Sequence, residues 1–273
     1  MHRNLDEVEF VIFDTETTGL DSGSGDRIIE IAGVRIVQGR SIAQFESLIN
    51  PHREVSAGAF SVNNISAQML SSAPEAEIVI PKFLDFIQDS CLCSYNAGFD
   101  LGFLNQELKL LGRSFPEDVI VVDVLKMARK LMPGLERYPL WFVAQKLDIR
   151  TQQAHRAFSD VELTFGVFEK FDAILKEKGI SDFKNFSHLF SITPGLLNNL
   201  DAQKIAELQE AIDLRLKIRM RYFSSATSKV SEREVIPKEI KQERGVSYLV
   251  GYCCIKNDER TFRLDGILHF EIV

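Results

Sequence analysis

Two carboxylates one residue apart, Asp14-Thr15-Glu16, stand directly after an apolar run, Val8-Glu9-Phe10-Val11-Ile12-Phe13. Alternate residues of a strand point to one side, so this pair can share a hard divalent cation, which prefers oxygen ligands. The segments Asn96-Ala97-Gly98-Phe99-Asp100 and His155-Arg156-Ala157-Phe158-Ser159-Asp160 add two more acids and a histidine. Each segment also has an ordinary structural reading. Asp14 and Glu16 suit a solvated strand end, Asn96, Asp100, Ser159 and Asp160 suit turns and helix caps, and His155 suits a loop. Taken singly, the segments leave both readings open.

The elements that must position these residues read as an α/β layer. Strand patterns fit residues 8–13, 27–37, 41–49, 92–94 and 119–122, and helices fit 75–89, 99–111, 124–131, 140–147 and 160–177. Three early strands, followed by helices interleaved with two more strands, predict a mixed sheet with flanking helices. After Gly179 the pattern changes. Phe183, Phe186, Leu189 and Phe190 predict a short amphipathic helix, which Thr193-Pro194-Gly195 breaks. A helical stretch at 201–216 leads into strand patterns at 218–223, 233–241, 246–255, 260–265 and 267–272, the signature of a small β-barrel. The expected organisation is residues 1–178, a helical linker over 179–204, and a barrel over 205–273.

A chain of 273 residues suits two domains, and 45% hydrophobic against 26% charged residues suits a soluble protein with a real core. No apolar run approaches the roughly 18 residues of a membrane span, and the first ten residues lack the apolar centre of a signal peptide. Cys91-x-Cys93 and the adjacent Cys253-Cys254 do not suit a zinc site, so reduced thiols in a cytoplasm are expected. The net charge of −7 is unevenly spread. Residues 205–273 hold 12 Lys and Arg against 11 Asp and Glu, a net of +1; the remainder holds 20 against 28, a net of −8. Bound cations can neutralise such carboxylates, so the acidic balance does not exclude a phosphodiester substrate.

In combination, Asp-x-Glu, then Asn-x-x-Phe-Asp, then His-x-Ala-x-x-Asp, each at a strand end or helix start, resembles the DEDDh 3′→5′ exonucleases. The resemblance is greatest to the proofreading branch, which includes the epsilon subunit of bacterial DNA polymerase III. It covers about residues 8–175 and extends to Ile49-Asn50-Pro51, Met69-Leu70 to Ala73-Pro74, Val122-Asp123-Val124 and Tyr138-Pro139-Leu140. Tyr95 replaces a common histidine, and Asn63-Asn64 replaces a common His-Gly pair. The resemblance implies an RNase H-like five-stranded mixed sheet and a site for two Mg²⁺ (or Mn²⁺). Asp14 would bridge both cations, Glu16 and Asp160 would complete the first site, and Asp100 would hold the second. His155 would act as general base, its ordinary pKa near 6.5 suiting that role near neutral pH. Thr17, Leu20, Asn96 and Phe99 would contact the terminal nucleotide. The implied substrate is a single-stranded or frayed 3′ end, DNA ahead of RNA, in repair, proofreading or nucleic-acid turnover, with a polymerase or repair protein as partner. An exoribonuclease and a regulatory protein with an inactive nuclease fold are the alternatives; the presence of all five catalytic residue types opposes the second. With all five lying before residue 161, residues 1–180 are expected to form a self-sufficient nuclease.

The segment Leu208–Val273 resembles a WYL domain, a small Sm-like or SH3-like barrel. Ala211-Ile212, Tyr222, Arg233-x-x-x-Pro237, Tyr248-Leu249-Val250-Gly251-Tyr252 and Arg260-x-Phe262-Arg263-Leu264-Asp265 carry the likeness. Ser247 replaces the tryptophan of the motif, and Gly266 replaces a frequently basic residue. The resemblance implies nucleic-acid or nucleotide-like ligands, with Arg233, Tyr248, Arg260 and Arg263 as contacts: stacking tolerates any base while guanidinium groups meet phosphate. The alternative is a surface arginine set balanced by Glu232, Glu234, Glu259 and Asp265.

Overall fold

The computed structural model describes residues 3–116, 119–150 and 156–273. Strands β1 (Phe10–Thr17), β2 (Ile28–Val37) and β3 (Arg40–Leu48) form an antiparallel meander. β4 (Cys91–Ser94) pairs parallel to β1, and β5 (Val121–Asp123) parallel to β4, giving the order β3-β2-β1-β4-β5. This is the expected mixed five-stranded sheet. Between β3 and β4 lie α1 (Ala57–Asn63), α2 (Ala67–Ser71) and α3 (Ala76–Ile87); α4 (Ala97–Leu110) joins β4 to β5. Then follow α5 (Val124–Leu131), α6 (Leu140–Lys146) and α7 (Ala157–Glu177). The sequence reading passes over α1 and α2, which are too short to show a helical period; Ser56 and Ser66 cap them by accepting from Ala59 N–H and Met69 N–H.

Alternation along β1 builds two cores. Phe10 and Ile12 face the helices α5–α7, packing with Val161, Val167, Phe168 and Phe171 of α7. Val11 and Phe13 face the other way, against Val79, Ile80 and Phe83 of α3 and Phe103 and Leu104 of α4. The same alternation continues past the core, so Asp14 and Glu16 lie on the α7 side and Thr15 on the α4 side.

The chain then forms α8 (Phe183–Phe190) and α9 (Pro194–Asp213). Thr193-Pro194-Gly195 does end one helix, but it also begins the next, with a proline at the first turn where no backbone N–H is needed. The boundary expected at 204/205 falls inside α9. Phe186 packs its ring 5.9 Å from Phe10 and 6.3 Å from Phe168. Phe186, Leu189 and Phe190 of α8 are almost wholly buried in the α7-side core. A cut after residue 180 would remove these side chains from that core.

β6 (Ile218–Ser224), β7 (Lys229–Glu243), β8 (Val246–Cys253), β9 (Asp258–Arg263) and β10 (Ile267–Ile272) form an antiparallel sheet of order β10-β6-β7-β8-β9, consistent with a small barrel. Its core includes Leu208 and Ala211 of α9, Ile218, Met220, Leu249, Phe262 and Ile267. Gly266 has a packing reason: a Cβ there would lie 2.7 Å from the Phe223 carbonyl oxygen and 2.8 Å from the Tyr222 ring. Phe223 and Leu268 sit in the nuclease core rather than the barrel's own, so the two units share apolar packing. Beside that seam the Lys130 ammonium meets Asp265 at 2.6 Å, and Arg263 grips the same carboxylate at 2.9 and 2.8 Å.

Candidate active site

Asp14 and Glu16 extend from the end of β1 toward the first turn of α7, where Asp160 stands. One carboxylate oxygen from each of the three lies within 4.8 Å of the others. Three acids at that spacing suit a hard divalent cation, and oxygen donors are the ligand set it prefers. Burial, reinforced by the charges of Asp100, Asp160, Glu16 and Glu30, raises Asp14 well above the usual carboxylate range. Burial and the neighbouring Asp160 and Glu30 carboxylates push Glu16 up to about 8. Among the described residues the site carries an excess of negative charge, which favours a bound cation.

Asp100 approaches from the opposite side of β1. Its Oδ1 accepts from Thr15 N–H at 3.1 Å and from Thr15 Oγ1 at 2.7 Å, and its Oδ2 accepts from Ser94 Oγ at 2.5 Å. Burial raises this carboxyl and these hydrogen bonds oppose the rise, leaving it at about 6. Asp100 thus stands behind the other three, held by Thr15, the β1 residue between the two acids, and by Ser94 of β4. Asn96 precedes α4 in a left-handed conformation (φ 67°), and the side chain of Asp123 accepts from its N–H at 3.1 Å. His155 lies outside the described residues.

The Thr17-Thr18-Gly19 turn is tied inward. Thr17 Oγ1 donates to the Gly19 carbonyl at 2.6 Å, and Thr18 Oγ1 to Asp26 at 2.9 Å. A Cβ at position 19 would meet the Asp26 carboxylate at 2.2 Å, so a larger residue there displaces that side chain from Thr18. Leu20 projects from the turn 86% exposed, so it is no core residue. Phe99 is half-buried, its ring 4.9 Å from that of Phe103, and Asn96 is exposed. The two departures from the family pattern are absorbed locally: Tyr95 donates to the Tyr138 carbonyl at 2.6 Å, and Asn63 is buried with its Oδ1 accepting from Ile65 N–H at 3.0 Å.

Sequence reasoning missed two buried acids, Glu30 beside the site and Glu107 on the helix that carries Asp100. Glu107 of α4 takes a two-pronged contact from Arg27 at 2.7 and 2.8 Å, and Glu30 of β2 holds Arg156 and the Ala157 N–H. The available signal was a lone glutamate inside the apolar run Ile28-Ile29-Glu30-Ile31, since a buried charge needs a partner.

The four barrel candidates separate into two places. Arg233 and Arg260 line a recess of about 440 Å³ with Tyr222, Asp258 and Glu259. Tyr248 stands opposite Arg263 in the β8–β9 register, and Arg263 is committed to Asp265 at the seam with the nuclease.

Residues 11–168 match the family described as Exonuclease, and residues 203–272 match the WYL domain. The DNA polymerase III PolC-type protein of Staphylococcus haemolyticus is 33% identical over 262 residues, which is 92% of this chain and 17% of that protein. The PolC-type protein of Bacillus cereus is 40% identical over 178 residues, 65% of this chain and 12% of that protein. The chain therefore spans less than a fifth of the curated relatives it matches. A solved structure of exonuclease X in complex with 5′-overhanging duplex DNA is 26% identical with a TM-score of 0.51, covering 62% of this chain and 93% of that one. The exonuclease match extends over more than half of the chain and takes in all four acids, so the chain belongs to the exonuclease family, as a DEDDh-type 3′→5′ exonuclease with a C-terminal WYL domain.

Proposed function

We propose that the chain removes nucleoside 5′-monophosphates from single-stranded or frayed 3′ ends of DNA, with two Mg²⁺ (or Mn²⁺) held by Asp14, Glu16, Asp100 and Asp160. The observation that carries this reading is the meeting of Asp14, Glu16 and Asp160 within 4.8 Å at the junction of β1 and α7. Bound divalent cations supply an activated water and offset the charge that builds on the phosphate and the leaving oxygen. The protein supplies the rest. β1 presents two acids to one side and, through Thr15, fixes Asp100 on the other. His155 takes the proton of the attacking water. Leu20, exposed at the turn, wedges against the terminal base, while Thr17, Asn96 and Phe99 border the 3′ nucleotide.

DNA is preferred over RNA because exonuclease X, similar over nearly its whole length, is described with DNA. The likeness to PolC-type polymerases supports a polymerase or repair protein as partner. On the barrel, Arg233, half-buried, and Arg260, exposed, are the candidate anion contacts of the recess, while Arg263 is committed to Asp265 at the seam.

Labelled single-stranded DNA and RNA of one sequence, incubated with and without Mg²⁺ or Mn²⁺, test the reading. The expected result is metal-dependent release of mononucleotides from the DNA 3′ end, abolished by Asp14→Ala or Asp160→Ala in variants with unchanged circular dichroism. Full activity in either purified variant overturns the site assignment, and faster release from RNA overturns the substrate.

A further inference from the structure

We infer that Glu30 is a positioning residue of this active site, acting through Arg156 to hold the start of α7, and with it Asp160, against β1. The inference rests on the exonuclease reading of the site and adds to it a residue that no catalytic motif contains.

Glu30 is fully buried in the centre of the sheet, where an unpaired carboxylate is costly. Its partners account for that burial. Arg156 Nε lies 3.1 and 3.0 Å from the two carboxylate oxygens, and Arg156 Nη2 makes a further close contact with Oε1. Oε2 also accepts from Ala157 N–H at 2.9 Å. Arg156 is the N-cap residue of α7 and makes no side-chain capping bond. Glu30 therefore supplies from a neighbouring strand the acceptor that a helix start ordinarily finds in its own cap, and its negative charge faces the positive end of the helix dipole.

What this clamp holds is the start of α7, which carries Asp160. Arg156 directly follows His155, and Asp160 stands in the first turn of α7, three residues beyond Ala157. Across the β1–β2 ladder Glu30 is the register partner of Glu16. The clamp thus ties the start of α7 to the rung of the sheet that carries one of the acids Asp160 must meet. Arg27 and Glu107 make a similar contact for α4. Glu107 takes the Arg27 fork at 2.7 and 2.8 Å and the Ile28 N–H at 3.2 Å, anchoring the helix of Asp100 to the start of β2. β2 therefore anchors both helices that bring acids to β1. The Glu30 oxygens are occupied by the guanidinium and a backbone N–H, which makes the residue a support for the ligands rather than one of them.

The test uses the full chain with Glu30→Gln, Arg156→Gln and the double variant. Turnover, KM and Mn²⁺ binding are measured, the last by isothermal titration in the absence of DNA. Glu30→Gln keeps the shape and leaves Arg156 facing water, so it should fold; Arg156→Gln is a second route to the same break. Supporting residues beside metal ligands typically contribute about 10–100-fold in affinity or activity. Glu30→Gln is expected to lower kcat and weaken Mn²⁺ binding by about that range with KM within twofold. The double variant should be no worse than the poorer single variant, because the two residues act as one unit. Melting is followed in parallel, and the loss must persist well below the midpoint. Wild-type kcat and Mn²⁺ affinity in Glu30→Gln, or losses in the double variant that multiply, overturn the inference. Asp14→Ala separates the two readings: if it is inactive while Glu30→Gln is wild type, only the positioning role fails, and if it is active, the site itself is misassigned.

Discussion

Burial raises Asp14, Glu16 and Asp100, and mutual crowding adds to the rise at the first two, so the folded protein holds protons there that an unfolded chain would release. Glu16, pushed from an ordinary 4.5 up to about 8, binds more proton in the folded state throughout that interval. Stability of the metal-free protein is therefore greatest below about pH 4.5, as far as this group is concerned, and is lost as pH rises toward 8. A divalent cation replaces the missing positive charge. The rise in Tm on adding Mg²⁺ or Mn²⁺ should accordingly be larger at pH 8 than at pH 5, read by thermal melts at both values; an equal or smaller rise at pH 8 contradicts the electrostatics described. His155→Gln should cut kcat by roughly 10²–10⁴-fold, the usual range for a general base, while keeping the metal-dependent rise in Tm. Loss of that rise would make His155 a ligand. The four candidate acids could be picked out because each stands at a strand end or helix start beside an apolar pattern. Glu30 and Glu107 were not, because each lies inside an element and answers to a partner distant in sequence.

Elements, in contrast to single residues, were legible wherever an apolar period ran long enough. β1 to β5, α3 to α7 and the five barrel strands all stand near their expected positions. α1 and α2 were hidden because five to seven residues carry less than two turns of period. The helical segment after Gly179 was seen, but its role was not: α8 closes the α7-side core through Phe186, Leu189 and Phe190, a contact that no local pattern announces. A fragment of residues 1–180 is therefore expected to melt well below the full chain and to expose apolar surface, checked by circular dichroism and gel filtration. An unchanged melting temperature would show that α8 is dispensable. At the seam with the barrel, burial alone would raise Asp265, yet Arg263 and Lys130 hold its carboxyl well below the usual range. The stability it contributes is present above the ordinary carboxylate pKa and is lost as pH falls through the lowered value. Asp265→Ala leaves two cations without their shared partner. Breaking such a buried pair costs about 3–5 kcal/mol, measurable as a lower denaturant midpoint.

Over the whole molecule, charge is divided as the sequence indicates, a net of −8 before residue 205 and +1 after it. Because Arg263 is spent on Asp265, only the Arg233 and Arg260 pair is expected to act on affinity. Replacing both with alanine should leave kcat on short oligonucleotides unchanged and weaken binding to longer single strands. The salt dependence should flatten by about 1.4 in log–log slope, at roughly 0.7 for each phosphate left without its arginine. Titrations at several salt concentrations check this; an unchanged slope would assign the recess to another ligand. Phe223 and Leu268 join the two units in one apolar core, so calorimetry should show a single unfolding transition rather than two.

The alternation of β1 also sets what mutation can reach. A substitution at Thr15 alters one side of the strand and leaves the acids on the other in place. Loss or gain of one residue between Phe13 and Thr17 would exchange the two sides at once, turning an acid toward α4 and a threonine toward α7. Descent in this lineage can therefore pass through many single replacements along β1, whereas a shift of one codon within it removes the reaction in a single step.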